Sequence, residues 1–375
     1  MNQKRIRDYG MIPGRMKPGK YNKITDVPGV LVGHSTIKNQ ENHTGVTVIL
    51  PGPDNAFGRK YVAASYVHNG FGKSCGLVQI DELGTLETPI ALTNTLNVGL
   101  VWDALTDYVL RQCARDQIPA RSISPVVGEC NDSQINHIQN RAVHGKHVQA
   151  AIDGASVDFA EGDVGAGAGT ICYGLKGGIG SASRIVELYG REYTVGVLVQ
   201  SNFGATADFL LDGKAVGERI LKLKEKLDRE KEESGQPEGS MAVSQSDQGS
   251  IMTILATDLP VSDRQLRRIL RRTAVGIART GAYTGHGSGE VMIGFTTANR
   301  VPAEAGEEPL AQTVLHESLI NTAFQAAAEA AHEAILNSMV CAGRTTGIQG
   351  EVYYSLGEFL DSGRDGEPGH GFRFP

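Results

Sequence analysis

Residues 240–260 read SMAVSQSDQG (Ser240–Gly249) followed by SIMTILATDLP (Ser250–Pro260). The first half is polar and lacks helical periodicity, whereas Ile251 to Ala256 is an unbroken apolar, β-branched run, the pattern of a strand buried on both faces. Upstream, residues 222–239 read KLKEKLDREKEESGQPEG, a charged helix tail that dissolves into Ser, Gly and Pro. Residues 222–249 are therefore predicted to be a mobile linker, and Ser250 sits where that linker enters the core.

Working outward, Val46 to Leu50, Thr194 to Gln200 and Val291 to Thr297 are further apolar runs predicted as strands. Strands apolar on both faces imply sheets covered by helices. Val98, Val101, Leu105 and Tyr108 recur at helical spacing after a capping Asn97. Ser262 and Gln265 make a capping-box pattern ahead of Leu266, Ile269, Leu270, Thr273 and Ile277. A third, alanine-rich helix is expected from about Gln312 to Met339. The opposite face of the second helix carries Arg264, Arg267, Arg268, Arg271 and Arg272 without interleaved aromatics, which reads as a solvated face or a subunit contact.

With 375 residues, 40% hydrophobic and 21% charged, the chain has the balance of a folded globular protein. A net charge of -6 gives no electrostatic reason to expect nucleic acid or an anionic membrane as partner. The five cysteines are scattered and form no CxxC pair, so neither a disulfide framework nor a metal site is expected, and a reducing compartment fits. The basic start, Met1 to Tyr9, leads into Gly10 with no apolar segment behind it, and no run reaches membrane-spanning length. The expectation is a cytoplasmic protein without a cofactor. Gly162 to Gly180 is glycine-rich, yet Thr170 stands where a third glycine of a nucleotide fingerprint would be, so tight backbone packing is expected instead.

The junction Gly249–Ser250 admits two readings. It is an ordinary loop-to-strand connection, or a bond that the chain cuts itself by attack of the serine hydroxyl on the preceding carbonyl. Glycine suits the upstream side because it tolerates strained dihedrals. Cleavage would leave Ser250 with a free α-amine, ordinarily titrating near 7.7 to 8.0, so that one residue carries nucleophile and base. Gly-Ser also occurs at positions 180, 239 and 287, but only at 249 does it join a polar linker to an apolar strand.

Several long motifs add to this reading. GSIMTILATDLP (Gly249 to Pro260) and TGHGSGEVMIGFTTAN (Thr284 to Asn299) resemble the β-subunit start and active-site loop of the DmpA-type aminopeptidases, the L-aminopeptidase/D-esterase and β-peptidyl aminopeptidase family, peptidase family P1. KITDVPGVLVGH (Lys23 to His34), ELGTLETPIALTNTLNVG (Glu82 to Gly99), PVVGECND (Pro125 to Asp132), GDVGAGAGT (Gly162 to Thr170), GLKGGIGSASR (Gly174 to Arg184) and VGVLVQSNFG (Val195 to Gly204) extend the resemblance in order over nearly the whole chain. The resemblance implies an α+β fold, a four-layer αββα sandwich forming a single catalytic domain over 1–375. Self-cleavage would split it into an α-subunit, 1–249, and a β-subunit, 250–375, with four αβ heterodimers assembling into a homo-oligomer.

It also implies the site. Ser250 matches the nucleophile, Asn202 of SNFG an oxyanion-hole amide, and Ser288 and Glu290 of GSGE the pair around the liberated amine. Glu129 of ECND matches a carboxylate near the substrate amine, although without the family it reads equally as a carboxylate accepting backbone N–H groups. Where the L-aminopeptidase branch carries a tyrosine, Gln134 stands here, so that either Gln134 or a backbone N–H serves as second oxyanion donor, or the chain belongs to the β-aminopeptidase branch. His286 is expected to be structural or to support the pocket from behind the residues that line it. The implied activity is cofactor-free removal of an N-terminal residue, α- or β-amino, from short peptides, amides or esters. Acyl transfer of the ornithine-acetyltransferase kind and a non-processing scaffold are the alternatives.

Overall fold

The computed structural model describes residues 3–234 and 239–362. Its strands are β1 (Leu31–Lys38), β2 (His43–Leu50), β3 (Arg59–Gly70), β4 (Thr85–Leu86), β5 (Ile90–Asn94), β6 (Val126–Cys130), β7 (Gly178–Leu188), β8 (Arg191–Asn202), β9 (Gly249–Thr257) and β10 (Ser288–Pro302), with several two-residue strands besides. They pair into a four-stranded sheet, β1-β2-β5-β6, and a six-stranded sheet, β4-β3-β10-β9-β8-β7. The helices are α1 (Leu77–Leu83), α2 (Val98–Arg115), α3 (Gly145–Asp153), α4 (Gly217–Ser234), α5 (Asp263–Leu270), α6 (Thr273–Ala278), α7 (Asn321–Val340) and α8 (Leu356–Ser362).

The expected runs of apolar residues fall on β2, β8, β9 and β10, and the two faces of each go to different layers. Val32, Ile49 and Leu92 of the smaller sheet meet Leu198, Ile254 and Ile293 of the larger one in a core between the sheets. On the outer face of the smaller sheet, Val48 and Ala91 pack with Val101 and Leu105 of α2 and Val148 of α3. On the outer face of the larger sheet, Val197, Leu255 and Met292 pack with Leu266 of α5, Ile277 of α6 and Ala330 of α7. Helices, sheet, sheet and helices form the four-layer αββα sandwich that the motifs imply. No helix among the described residues is long and apolar enough to cross a membrane.

Local readings are adjusted in five places. Ser262 and Gln265 do form the capping box at α5, but the helix breaks after Leu270 and resumes as α6. At α2 the capping acceptor is Asn94, whose Oδ1 takes the Asn97 N–H at 3.1 Å, while Asn97 Nδ2 donates to Val143 O. The alanine-rich helix starts at Asn321, nine residues later than expected at Gln312. The arginine face is occupied within the chain: Arg264 and Arg268 pair with Glu317, Arg267 with Asp81, and Arg272 stacks over Phe324. Of the linker 222–249, residues 222–234 complete α4 and 235–238 lie outside the described residues. Met241 then bridges Val352 and is buried.

α7 lies close to β7 because Gly180 leaves room; a Cβ there would collide with the Ala334 carbonyl of the helix. Ser338 of α7 exchanges a 2.7 Å hydrogen bond with Ser201, the neighbour of Asn202. Deeper, the fully buried Arg184 of β7 reaches Glu333 at 2.7 Å and Glu329 at 3.2 Å, both on α7, and donates to the Pro13 carbonyl at 2.6 Å. Arg7 adds a second cation to Glu333 at 2.6 Å. Arg184→Met should leave Glu329 in the core without its cation and Glu333 with Arg7 alone, and cost about 3 kcal/mol; thermal and urea unfolding against the parent chain would measure the loss, and an unchanged midpoint would refute this account of how α7 is fixed.

Candidate active site

β9 pairs antiparallel to β8 and parallel to β10, and this register assembles the expected residues. Ser250 stands opposite Asn202 on one side and opposite Gly289 on the other. Residues directly opposite in a sheet project to the same face, so Ser250 and Asn202 both face the layer between the sheets. A Cβ at Gly289 would lie 3.0 Å from Ser250 Oγ, as expected of a same-face neighbour. Period-2 alternation then sends Gly249, Ile251, Ser288 and Glu290 to the helix-covered face. Asn202 on one face and Ser288 and Glu290 on the other therefore bracket the Gly249–Ser250 peptide from both sides of one sheet.

On the inter-sheet side is a cavity of about 350 Å³ whose lining includes Ser250, Asn202, Glu129, Gln134, Thr95 and Gly249. The chain just upstream, Val243 to Ser246 and Gln248, forms another part of its wall. Asn202 Oδ1 accepts the Ile171 N–H at 3.0 Å. Because an amide presents its oxygen and its NH2 in opposite directions, this bond assigns the oxygen and leaves the NH2 as the end available to the cavity. Cys130 Sγ donates to the Ser250 carbonyl at 3.4 Å, tying β9 to β6.

Glu129 is buried and doubly engaged: one oxygen accepts the Lys73 N–H at 2.9 Å, the other the Thr95 hydroxyl. Both readings of this residue thus meet in one place, a carboxylate held by the protein's own donors that also borders the cavity. Gln134 is exposed to the cavity and accepts the Tyr353 phenol on Oε1 at 2.8 Å. The phenol missing at 134 is present nearby from a distant segment, oriented toward Gln134 and Glu351.

On the other side, Ser288 donates to Glu290 Oε1. Both are buried, and Glu290 Oε2 has no hydrogen-bond partner among the described residues. Burial, and secondarily the charge of Asp247, push the Glu290 carboxyl up to about 7, while the Ser288 hydrogen bond pulls the other way. Asn69 holds the loop that leads into β10, donating to the carbonyls of Gly285, His286 and Ser288. His286 is exposed, with its ring 6.3 Å from that of Phe71, in keeping with a structural place.

Gly249 itself has φ of +126°, and a Cβ there would strike the carbonyl oxygen of Asn202. Only glycine fits. Three contributors escape the sequence reading: Ile171, which acts through a backbone N–H; Asn69, whose HNGFG setting reads as a turn; and Asp247, one polar residue in a polar tract.

Comparison with known proteins agrees with this architecture. Residues 22–353 match the family model described as peptidase family S58. The β-peptidyl aminopeptidase BapA of Sphingosinicella microcystinivorans is 36% identical over 363 residues, covering 94% of this chain and 89% of that protein. The structure of a Burkholderia sp. β-aminopeptidase superposes with a TM-score of 0.84 at 36% identity, over 95% of this chain and 96% of the other. The L-aminopeptidase D-Ala-esterase/amidase of Ochrobactrum anthropi, described as a prototype of the serine aminopeptidases and a variant of the Ntn hydrolase fold, superposes with a TM-score of 0.83 at 32% identity, over 94% and 95% of the two chains. A serine on a central strand, facing an oriented amide within a sandwich of this family's shape, accompanies a family match over most of the chain: the protein belongs to peptidase family S58 and is a serine-type hydrolase of the N-terminal-nucleophile fold.

Proposed function

We propose that the chain is a self-processing aminopeptidase that cuts its own Gly249–Ser250 bond and then uses Ser250 to remove N-terminal residues, α- or β-amino, from short peptides, amides or esters. The observation that carries this reading is the environment of that one bond. A strained glycine precedes a serine whose hydroxyl faces a cavity, and behind the peptide lies a buried carboxyl with an unpartnered oxygen. An unsatisfied buried acceptor is costly in a mere structural role. It has a use if an ammonium is later created beside it.

In the first step Ser250 Oγ bonds to the Gly249 carbonyl carbon, its proton passes to the departing nitrogen, and the C–N bond breaks to leave an ester and the free amine of Ser250. Water then hydrolyses the ester, giving the Gly249 carboxylate and restoring the hydroxyl. In turnover the same hydroxyl attacks the substrate carbonyl and its own amine, tethered within reach, carries the proton to the leaving group, giving an acyl-enzyme that water hydrolyses to release the residue and restore the hydroxyl. The NH2 of Asn202 stabilises the oxyanion. Ser288 and Glu290 hold the new amine, and Glu129 receives the substrate's ammonium. Gln134, steadied by the Tyr353 phenol, supplies a further donor at the cavity wall. Family membership supports aminopeptidase activity over ornithine acetyl transfer, which relies on a threonine nucleophile in the family that the alternative reading invoked.

Three results are expected. Mass spectrometry of the purified protein should give two fragments, 1–249 and 250–375, and a single uncut chain for Ser250→Ala; intact wild type with full turnover of amino acid p-nitroanilides would overturn the proposal. Asn202→Ala should lower kcat by about 10²–10³-fold, the cost typical of losing one oxyanion donor, and an unchanged kcat would remove it from the site. The third concerns Glu290. Its folded pKa of about 7 lies above the ordinary 4.5, so the folded chain keeps a proton that the unfolded chain releases. That contribution is whole below about pH 4.5 and is lost as pH rises through 7. In the uncut Ser250→Ala chain it should amount to roughly 2–3 kcal/mol between pH 4.5 and 8, and adding Glu290→Gln should flatten that part of the pH–stability curve; identical curves would contradict a protonated Glu290.

A further inference from the structure

The carboxylate of Asp247 is buried, lies two residues before Gly249, and does not line the cavity that holds Ser250. Its two oxygens are taken by two backbone donors from different parts of the fold. Oδ1 accepts the Gly204 N–H at 3.1 Å, just beyond the end of β8, and Oδ2 accepts the Tyr283 N–H at 3.2 Å, in the loop ahead of β10. Those are the two strands that flank β9. The next residues are held too: Gln248 N–H donates to Ser246 O at 2.9 Å, and the backbone of Asp247 packs so closely on Gly285 that a Cβ there would meet its carbonyl. Between this anchor and β9 lies Gly249 with its φ of +126°.

We propose that Asp247 is a positioning residue chiefly for self-cleavage, holding the upstream side of the scissile bond. This rests on the self-processing reading above. Attack on the Gly249 carbonyl needs that carbonyl held against Ser250 Oγ, and the holding must come from both ends of the scissile segment. Downstream, the strand pairing of Ser250 does it. Upstream, the polar tract Ser240–Gln248 has little regular structure; apart from the long 3.5 Å hydrogen bond from the Gly249 N–H to the Gly287 carbonyl, the side-chain clamp next to the bond is the Asp247 carboxylate bridging Gly204 and Tyr283. A charged acceptor on two backbone donors is a strong anchor, and fixing a reacting group in place accelerates an intramolecular attack by making the required geometry the ground state. Once the bond is cut, Asp247 belongs to the tail of the upstream fragment, and a substrate in the cavity does not touch it.

The test separates the two activities. Asp247→Asn keeps the side chain's size but replaces one acceptor with a donor facing an N–H. Newly synthesised wild type, Asp247→Asn, Asp247→Ala and Ser250→Ala are followed by gel and mass spectrometry for the 250–375 fragment. Both Asp247 variants should cut about 10²-fold more slowly, the scale of effect for a misplacement of about 1 Å. Uncut Asp247→Asn should melt within a few degrees of Ser250→Ala, and its cut fraction should lose far less kcat on p-nitroanilides than the roughly 10²-fold lost in cleavage, the remaining change following pH through Glu290, whose carboxyl Asp247 pushes up. Cleavage at the wild-type rate overturns the inference, as does an Asp247→Asn chain that fails to fold, or a cut fraction whose kcat falls in step with the cleavage rate. An uncut wild type would instead remove the underlying reading, a result the Ser250→Ala lane distinguishes at once.

Discussion

Everything at the site depends on the register of β9 between β8 and β10. Side chains alternate across a sheet, so a slip of one residue would turn Ser250 toward the helices and bring Gly249 or Ile251 to the cavity. The apolar run that follows prevents this. Ile251 and Leu255 belong to the core under α5–α7, whereas Met252, Ile254 and Ala256 belong to the core between the sheets. Both faces are buried, so a slip would have to move every one of them into an environment already filled by others. The strand that positions the proposed nucleophile is thereby among the most strongly determined parts of the fold.

Much of this was legible in the chain and some was not, for identifiable reasons. The buried strands, the junction at Gly249–Ser250 and the capping box at Ser262 are local patterns, and they lie where the patterns put them. The four layers and the grouping of Asn202, Ser250, Ser288 and Glu290 came through resemblance, since no spacing in the sequence brings positions 202 and 290 together. Long-range partnership is what eluded reading. Ile171 orients Asn202 through a backbone N–H that any residue but proline would offer, and Tyr353 reaches Gln134 across 219 positions. The early start expected for α7 has a similar origin: residues 312–320 look helical by composition, but Asn299 of β10 captures the Thr313 carbonyl and N–H, and the chain makes a single 3-10 turn at Glu317–Leu319 before α7 begins.

The linker shows how a composition rule gives way to packing. Ser240–Gly249 has the residues of a loop, yet Met241 pairs with Val352 and Asp247 is gripped from two sides. The same segment supplies part of the cavity wall. In the proposed reaction it is first the acyl portion of the chain's own substrate and then the rim of the site it has helped to create, so cleavage would change the shape and polarity of the place where later substrates bind.

Glu290 carries the electrostatic half of that change. Around an intact peptide bond its neighbours are a hydroxyl and the negative charge of Asp247, and burial favours the neutral acid. Hydrolysis of the bond in the proposed sequence produces an α-amine on the same strand position. A buried acid beside a new basic nitrogen no longer gains by staying neutral, because an opposite charge at hydrogen-bond distance stabilises the carboxylate and lowers its pKa. The proton arrangement suited to an uncut chain would thus convert, without any rearrangement of the fold, into one suited to holding an amine. The amine cannot be held so firmly as an ammonium that it ceases to be a base, and here Ser288 matters: by occupying Oε1 it limits the carboxylate's grip to a single free oxygen. In the proposed enzyme the pair, rather than the carboxylate alone, would set how readily the nitrogen gives and takes a proton.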